Sequence, residues 1–358
     1  MGEKPDKERP KNEEQTVRIR KEYSVEEYAQ SLLRWADRGF ENIGDQGGQG
    51  IGSTVAAVLR HPLFTSKPHQ AAEDICTKAQ GRAAANGAVM RTSFSSLPFS
   101  SLRQSLLYTW DLCLSTHFDL RCIVSCLSVS SLISLYLYFV RSCECLPSSS
   151  DICFMLSLSR SLCLFVLSAD VEAFDSFFSF SPSSSSSSSR TSAAESEEGE
   201  GKGGKEERKE EKKVRRFFEK VSNKFIVIKE KMMEGKSKFQ PQEGWKEEFE
   251  KYFDCTDFSQ LELDDQPTIG YTFKAMGAAI LSFRQFALDG PSDPSSFVFI
   301  LNRIMAEAGD ADSNACVAAS LMGLHLGFSA FPPSFLLHLP HFPEMSRLAL
   351  LLLSKQGE

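Results

Sequence analysis

Residues 307–327 read EAGDADSNACVAASLMGLHLG. Two carboxylates, Asp310 and Asp312, and a hydroxyl, Ser313, stand where a run of small and apolar residues begins. Ala315, Ala319, Gly323 and Gly327 then recur four apart. That spacing predicts a helix with a small-residue stripe, able to pack closely in a helical core. Upstream, 296–308 (SFVFILNRIMAEA) and 270–288 (GYTFKAMGAAILSFRQFAL) read as two more buried helices, the second ended by Asp289-Gly290-Pro291. Trp245, Phe249, Tyr252 and Phe253 predict an amphipathic helix. Nearer the start, Tyr23, Val25, Tyr28, Leu32, Leu33 and Trp35 fall at helical spacing, and Ser24 with Glu27 forms an S-x-x-E capping box. A helix over about 24–37, ending at Gly39, follows. The Ala-rich run 70–92 predicts helix to about Ala85, with Asn86-Gly87 as a turn. Alternating strands are few, so the fold class is all-α.

The composition limits the function. The 358 residues carry 40 Lys and Arg against 47 Asp and Glu, a net charge of −7. That balance argues against nucleic acid, whose phosphates call for a basic field. Ten cysteines are too few for a disulfide scaffold of this size, and residues 1–22 mix both charges with no apolar leader. A reducing, cytoplasmic setting is expected. Between Arg121 and Arg141 lie 19 uncharged residues, long enough for a membrane span. Seven of the 19 are Ser or Cys, which favours a buried helix and makes a membrane partner unlikely.

The chain divides into a disordered tail (1–22), an N-terminal part (23–139), a disordered low-complexity insertion (140–241) and a C-terminal part of the same domain (242–358). In the insertion, Ser/Leu/Phe/Cys text gives way to Ser183–Ser189 and then to KEERKEEKK, and the whole resembles translated non-coding sequence.

Four local patterns could carry chemistry. Asp310, Asp312 and Ser313 suit a hard cation, although on spacing alone ordinary N-capping is the better reading. The Asn86-Gly87 turn with Met90 and Arg91 could hold a phosphate, or simply end a helix. His117 and Asp119, within Thr116–Arg121, border an apolar run, where a histidine is commonly core. Tyr271 opens a helix and could stack on a base or join the core.

Together these patterns resemble the ADP-ribosylglycohydrolase family. GQGIGSTVAAVL (48–59), AANGAVMRT (84–92), THFDLRC (116–122), IGYTFKAMGAAI (269–280) and residues 307–327 match it in order, the last carrying the G-D-x-D-[TS]-N-A signature. The resemblance implies an all-α bundle with a binuclear Mg²⁺ or Mn²⁺ site. It also implies cleavage of the glycosidic bond between ADP-ribose and a protein side chain or small acceptor. By motif, Asp310, Asp312 and Ser313 would be metal ligands. Asn86, Gly87 and Met90 would line the ADP-ribose site with Arg91 beside it, Tyr271 would stack on the adenosine end, and His117 and Asp119 would lie near the cleft. The family's T-D-D motif, which supplies the other half of the metal site, has no counterpart before Tyr23. The sole Asp-Asp pair, Asp264-Asp265, follows no Thr or Ser and reads as a loop. The alternative is therefore an inactive relative that binds ADP-ribose or serves structurally.

Overall fold

The computed structural model describes residues 24–40, 44–97, 101–168, 242–331 and 333–354. Among them there are helices and turns, and a single isolated bridge between Ala85 and Tyr271 in place of any sheet. The tail 1–22 and the Ser-rich and charged text of 181–213 lie outside the described residues.

Two apolar clusters organise the chain. The smaller joins α1 (Val25–Arg38), α2 (Ser53–Leu59) and α3 (Pro68–Ala79) around Ala29, Leu32, Val58 and Phe64. Ser24 caps α1 by accepting the Glu27 amide at 3.2 Å. Gly39 ends it at φ +70°, where a Cβ would sit 2.2 Å from the Asp45 carbonyl oxygen. Only glycine fits there. Phe118 bridges this cluster to the larger one.

The larger cluster is built around α6 (Leu120–Cys143), flanked by α4 (Gly87–Thr92), α5 (Leu102–Leu114) and α7 (Ser149–Ser168). From Cys122 to Tyr136 every residue of α6 is buried. A helix apolar all round belongs inside a protein or a membrane. α6 is long and apolar enough to cross a membrane, but in this fold the bundle covers it. Its serines are satisfied locally: Ser125 and Ser128 donate to the carbonyls of Arg121 and Val124, each at 2.9 Å. Ser130 donates to Thr92 on α4 at 2.9 Å.

The C-terminal part adds α8 (Trp245–Phe253), α9 (Thr272–Arg284), α10 (Pro294–Ala306), α11 (Ala311–Leu326), α12 (Pro333–His338) and α13 (Phe342–Ser354). α9 runs through the core with all of Thr272–Phe283 buried. Gly277 lets α8 pass close: a Cβ there would lie 2.9 Å from the Tyr252 carbonyl oxygen.

Three expectations are corrected. The disorder expected from 140 does not hold as far as 168. α6 continues to Cys143, and α7 buries Ile152, Met155, Leu158, Leu162 and Phe165 in the main core. Ser148 and Asp151 cap α7 reciprocally, and Arg160 ties it to Asp254 at 2.6 Å and Glu250 at 2.9 Å. Next, α3 stops at Ala79, because Gln80 and Gly81 turn left-handed, and Asn86 opens the following helix. Finally, the core face of α11 is Ser313, Asn314, Val317, Ala318, Leu321 and Met322. The small-residue stripe lies one step round and is half-buried, with Gly323 under the ring of Phe331.

Candidate functional site

Asp310 owes its position to two left-handed residues. Ala308 at φ +58° and Gly309 at φ +70° reverse the chain after α10 and start α11. Gly309 presses against the 263–264 backbone, since a Cβ would lie 2.0 Å from the Leu263 carbonyl oxygen. That loop is held by buried Lys274, which donates to the Glu262 carbonyl. Asp310 occupies the N-cap position, yet its carboxylate accepts no amide of α11. Instead its Oδ2 accepts the Asn86 Nδ2–H at 2.6 Å. Asp312 is exposed and accepts the Ser313 amide at 2.8 Å, while Ser313 is buried. Burial pushes the Asp310 carboxyl up, and hydrogen bonding with Asp310 holds Asp312 down.

Asn86 reaches Asp310 because its backbone is pinned to the start of α9. Its amide donates to Gly270 at 2.9 Å, and Thr272 donates back to Ala84 at 3.0 Å. Gly270 borders this junction: a Cβ there would lie 3.9 Å from Asp310 Oδ2 and 4.0 Å from Asn86 Oδ1, ordinary contact distances. Met90 is half-buried against the main core, one turn along α4. Arg91 folds back on the turn, donating from Nη1 to the Gly87 carbonyl at 2.7 Å and from Nε to the Tyr28 hydroxyl at 3.2 Å. Its Nη2 donates to the Thr116 hydroxyl, which bonds His117 Nδ1 at 2.9 Å. His117 is fully buried, and among the described residues its Nε2 has no partner.

Asp119 and Tyr271 form a second group. Asp119 caps α6 and chelates Arg121, accepting Nη2–H at 2.8 Å and Nε–H at 3.0 Å. Arg121 also donates to the Gly81 carbonyl at 2.5 Å. Its guanidinium lies 4.7 Å from the Trp245 ring centre and 5.8 Å from that of Tyr271. Tyr271 meets Phe273 and Tyr252 edge-on at 5.5 and 6.0 Å. Sequence reasoning missed Arg121 and Trp245. The Asp-x-Arg spacing at an N-cap signals the first. Nothing local signals the second.

The donor set bears on a cation. Two carboxylates and a hydroxyl are hard oxygen donors, enough for one Mg²⁺ or Mn²⁺ that keeps most of its waters. They do not fit a binuclear centre: among the described residues no three His, Cys, Asp or Glu side chains group to hold a metal. Asp264 and Asp265 are exposed on the loop before α9, and Asp265 accepts the Thr268 hydroxyl at 2.5 Å.

The sequence pattern of the ADP-ribosylglycohydrolases matches residues 14–358. The chain belongs to the ADP-ribosylglycohydrolase family. That family is one of hydrolases acting on ADP-ribosyl groups and has an all-α fold, as found here. No curated protein sequence matches the chain. The matched span takes in α7 along with every site residue named above. In this ADP-ribosylglycohydrolase chain the signature aspartate and the Asn-Gly turn are in direct contact.

Proposed function

We propose that the chain hydrolyses the glycosidic bond between ADP-ribose and a protein side chain or small acceptor. The observation that carries this reading is the 2.6 Å bond between Asn86 and Asp310, which joins the two family motifs into one site. Asn86, Gly87, Met90 and His117 would contact ADP-ribose, with Arg91 steadying the turn. Asp119 would act through Arg121, and Tyr271 would border the adenosine end. Asp310, Asp312 and Ser313 would hold a Mg²⁺ or Mn²⁺, whose chemistry there is Lewis-acid activation of water and stabilisation of charge. A carboxylate beside that water would serve as the general base.

A second reading, ADP-ribose binding without hydrolysis, is favoured by two observations. Asp310 Oδ2 is already engaged by an amide, and the described residues supply only half a binuclear site. Release of ADP-ribose from an ADP-ribosylated protein, with and without Mg²⁺ or Mn²⁺, separates the two. Hydrolysis predicts metal-dependent release that Asp310→Ala with Asp312→Ala abolishes. No release from a folded chain that still binds ADP-ribose supports the second reading.

A further inference from the structure

We propose that Arg91 is a positioning residue that acts through Thr116 to hold His117 as the Nε2–H tautomer. One hydrogen-bond donor is thereby aimed across Gly87 at an oxygen of the bound ADP-ribosyl group. The ligand named here rests on the function proposed above.

Proton accounting carries the argument. Arginine only donates, so Thr116 Oγ1 must accept from Nη2. The Thr116 hydroxyl is buried and its other partner is His117 Nδ1, at 2.9 Å. If Nδ1 carried the ring proton, Oγ1 would accept twice and the hydroxyl hydrogen would have no acceptor, a costly arrangement in a buried site. With the hydroxyl donating to an unprotonated Nδ1, every hydrogen of Thr116 and every Arg91 contact is used. The ring proton then sits on Nε2. A doubly protonated ring is disfavoured by burial and by the neighbouring guanidinium.

Geometry places the donor beside the Gly87 turn. A Cβ on Gly87 would lie 3.5 Å from His117 Cε1 and 3.6 Å from Nε2. The ring edge therefore faces a residue with no side chain, beside Asn86, which contacts Asp310. Nε2 is buried and has no partner among the described residues. Arg91 is fixed at three points, on Gly87, Tyr28 and Thr116, so it sets the turn and the tautomer together. Three of its five N–H donors, one on each nitrogen, go to protein oxygens.

Long-range ¹H–¹⁵N spectra of the imidazoles test this in the full chain, with His117 identified among six histidines by its loss in His117→Asn. The wild type should show a protonated Nε2 at neutral pH. Thr116→Val should bring in the Nδ1–H form and weaken ADP-ribose binding at least tenfold, and Thr116→Ser should restore both. An Nδ1–H pattern in the wild type overturns the proposal, as does a Thr116→Val chain with unchanged tautomer and affinity. If Thr116→Val fails to fold, the wild-type and Thr116→Ser spectra still decide the tautomer. Arg91→Met, which removes the donor to Thr116, should also admit the Nδ1–H form, and an unchanged tautomer in that variant overturns the role of Arg91. Failure of the wild type to bind ADP-ribose overturns the ligand and the proposed function, while the spectra separately judge the relay.

Discussion

His117 shows how a single side chain couples the site to stability. Burial, with Arg91 adding to it, pushes its pKa from the ordinary 6.5 down to about 3. Below pH 6.5 the unfolded chain takes up a proton at this position that the folded chain refuses. Stability is therefore lost as pH falls from 6.5 towards 3, by up to about 1.4 kcal/mol per pH unit from this group. His117→Asn keeps an acceptor facing Thr116 and removes the titration. Urea unfolding between pH 7 and pH 4 should show a shallower pH dependence for the variant, whereas parallel curves would rule out a buried neutral imidazole. Single residues were unevenly legible in the sequence. Asp310 could be read from its signature, but not that its carboxylate turns to Asn86 instead of capping α11. Asp119 was placed near the cleft. Its partner, Arg121, stands two residues on, where the sequence alone shows only the flank of an apolar run.

At the scale of elements, Arg121 joins three: it caps back onto Asp119 at the start of α6, lies over Trp245 of α8 and over Tyr271 at the head of α9. The Asp119 side chain is only 2% exposed. Arg121→Ala would leave that carboxylate buried and uncompensated, at a cost of about 3–5 kcal/mol. Arg121→Lys keeps the charge but loses the two-pronged geometry and the stacking, and should recover only part of the loss. Thermal unfolding of the pair checks this: equal melting temperatures for wild type and Arg121→Ala would show the bridge to be idle. Helices with clear caps and periodicity, such as α1, were legible to within a residue. α7 was not. Its serines and cysteines resemble low-complexity text, and its burial depends on α6 and α8, far away in sequence. The Ala-rich run was overextended because helix propensity continues past Gln80, where the backbone turns left-handed and the chain pairs with Gly270 and Thr272 instead.

In the whole molecule the site is a product of topology. The N-terminal part supplies the Asn86–Gly87 turn and the Arg91–Thr116–His117 relay, and the C-terminal part supplies Gly270 and the Asp310 carboxylate. Their order along the chain was legible as a family pattern. Their meeting was not, because it requires the bridge between Ala85 and Tyr271 and the sharp reversal at Gly309. The central claim is that these motifs form one ADP-ribose site. Calorimetric titration of the full chain with ADP-ribose, wild type against Asn86→Ala, tests it most directly. The account predicts binding by the wild type and at least a tenfold weaker affinity for a folded variant. Equal affinities would place ADP-ribose elsewhere and contradict it.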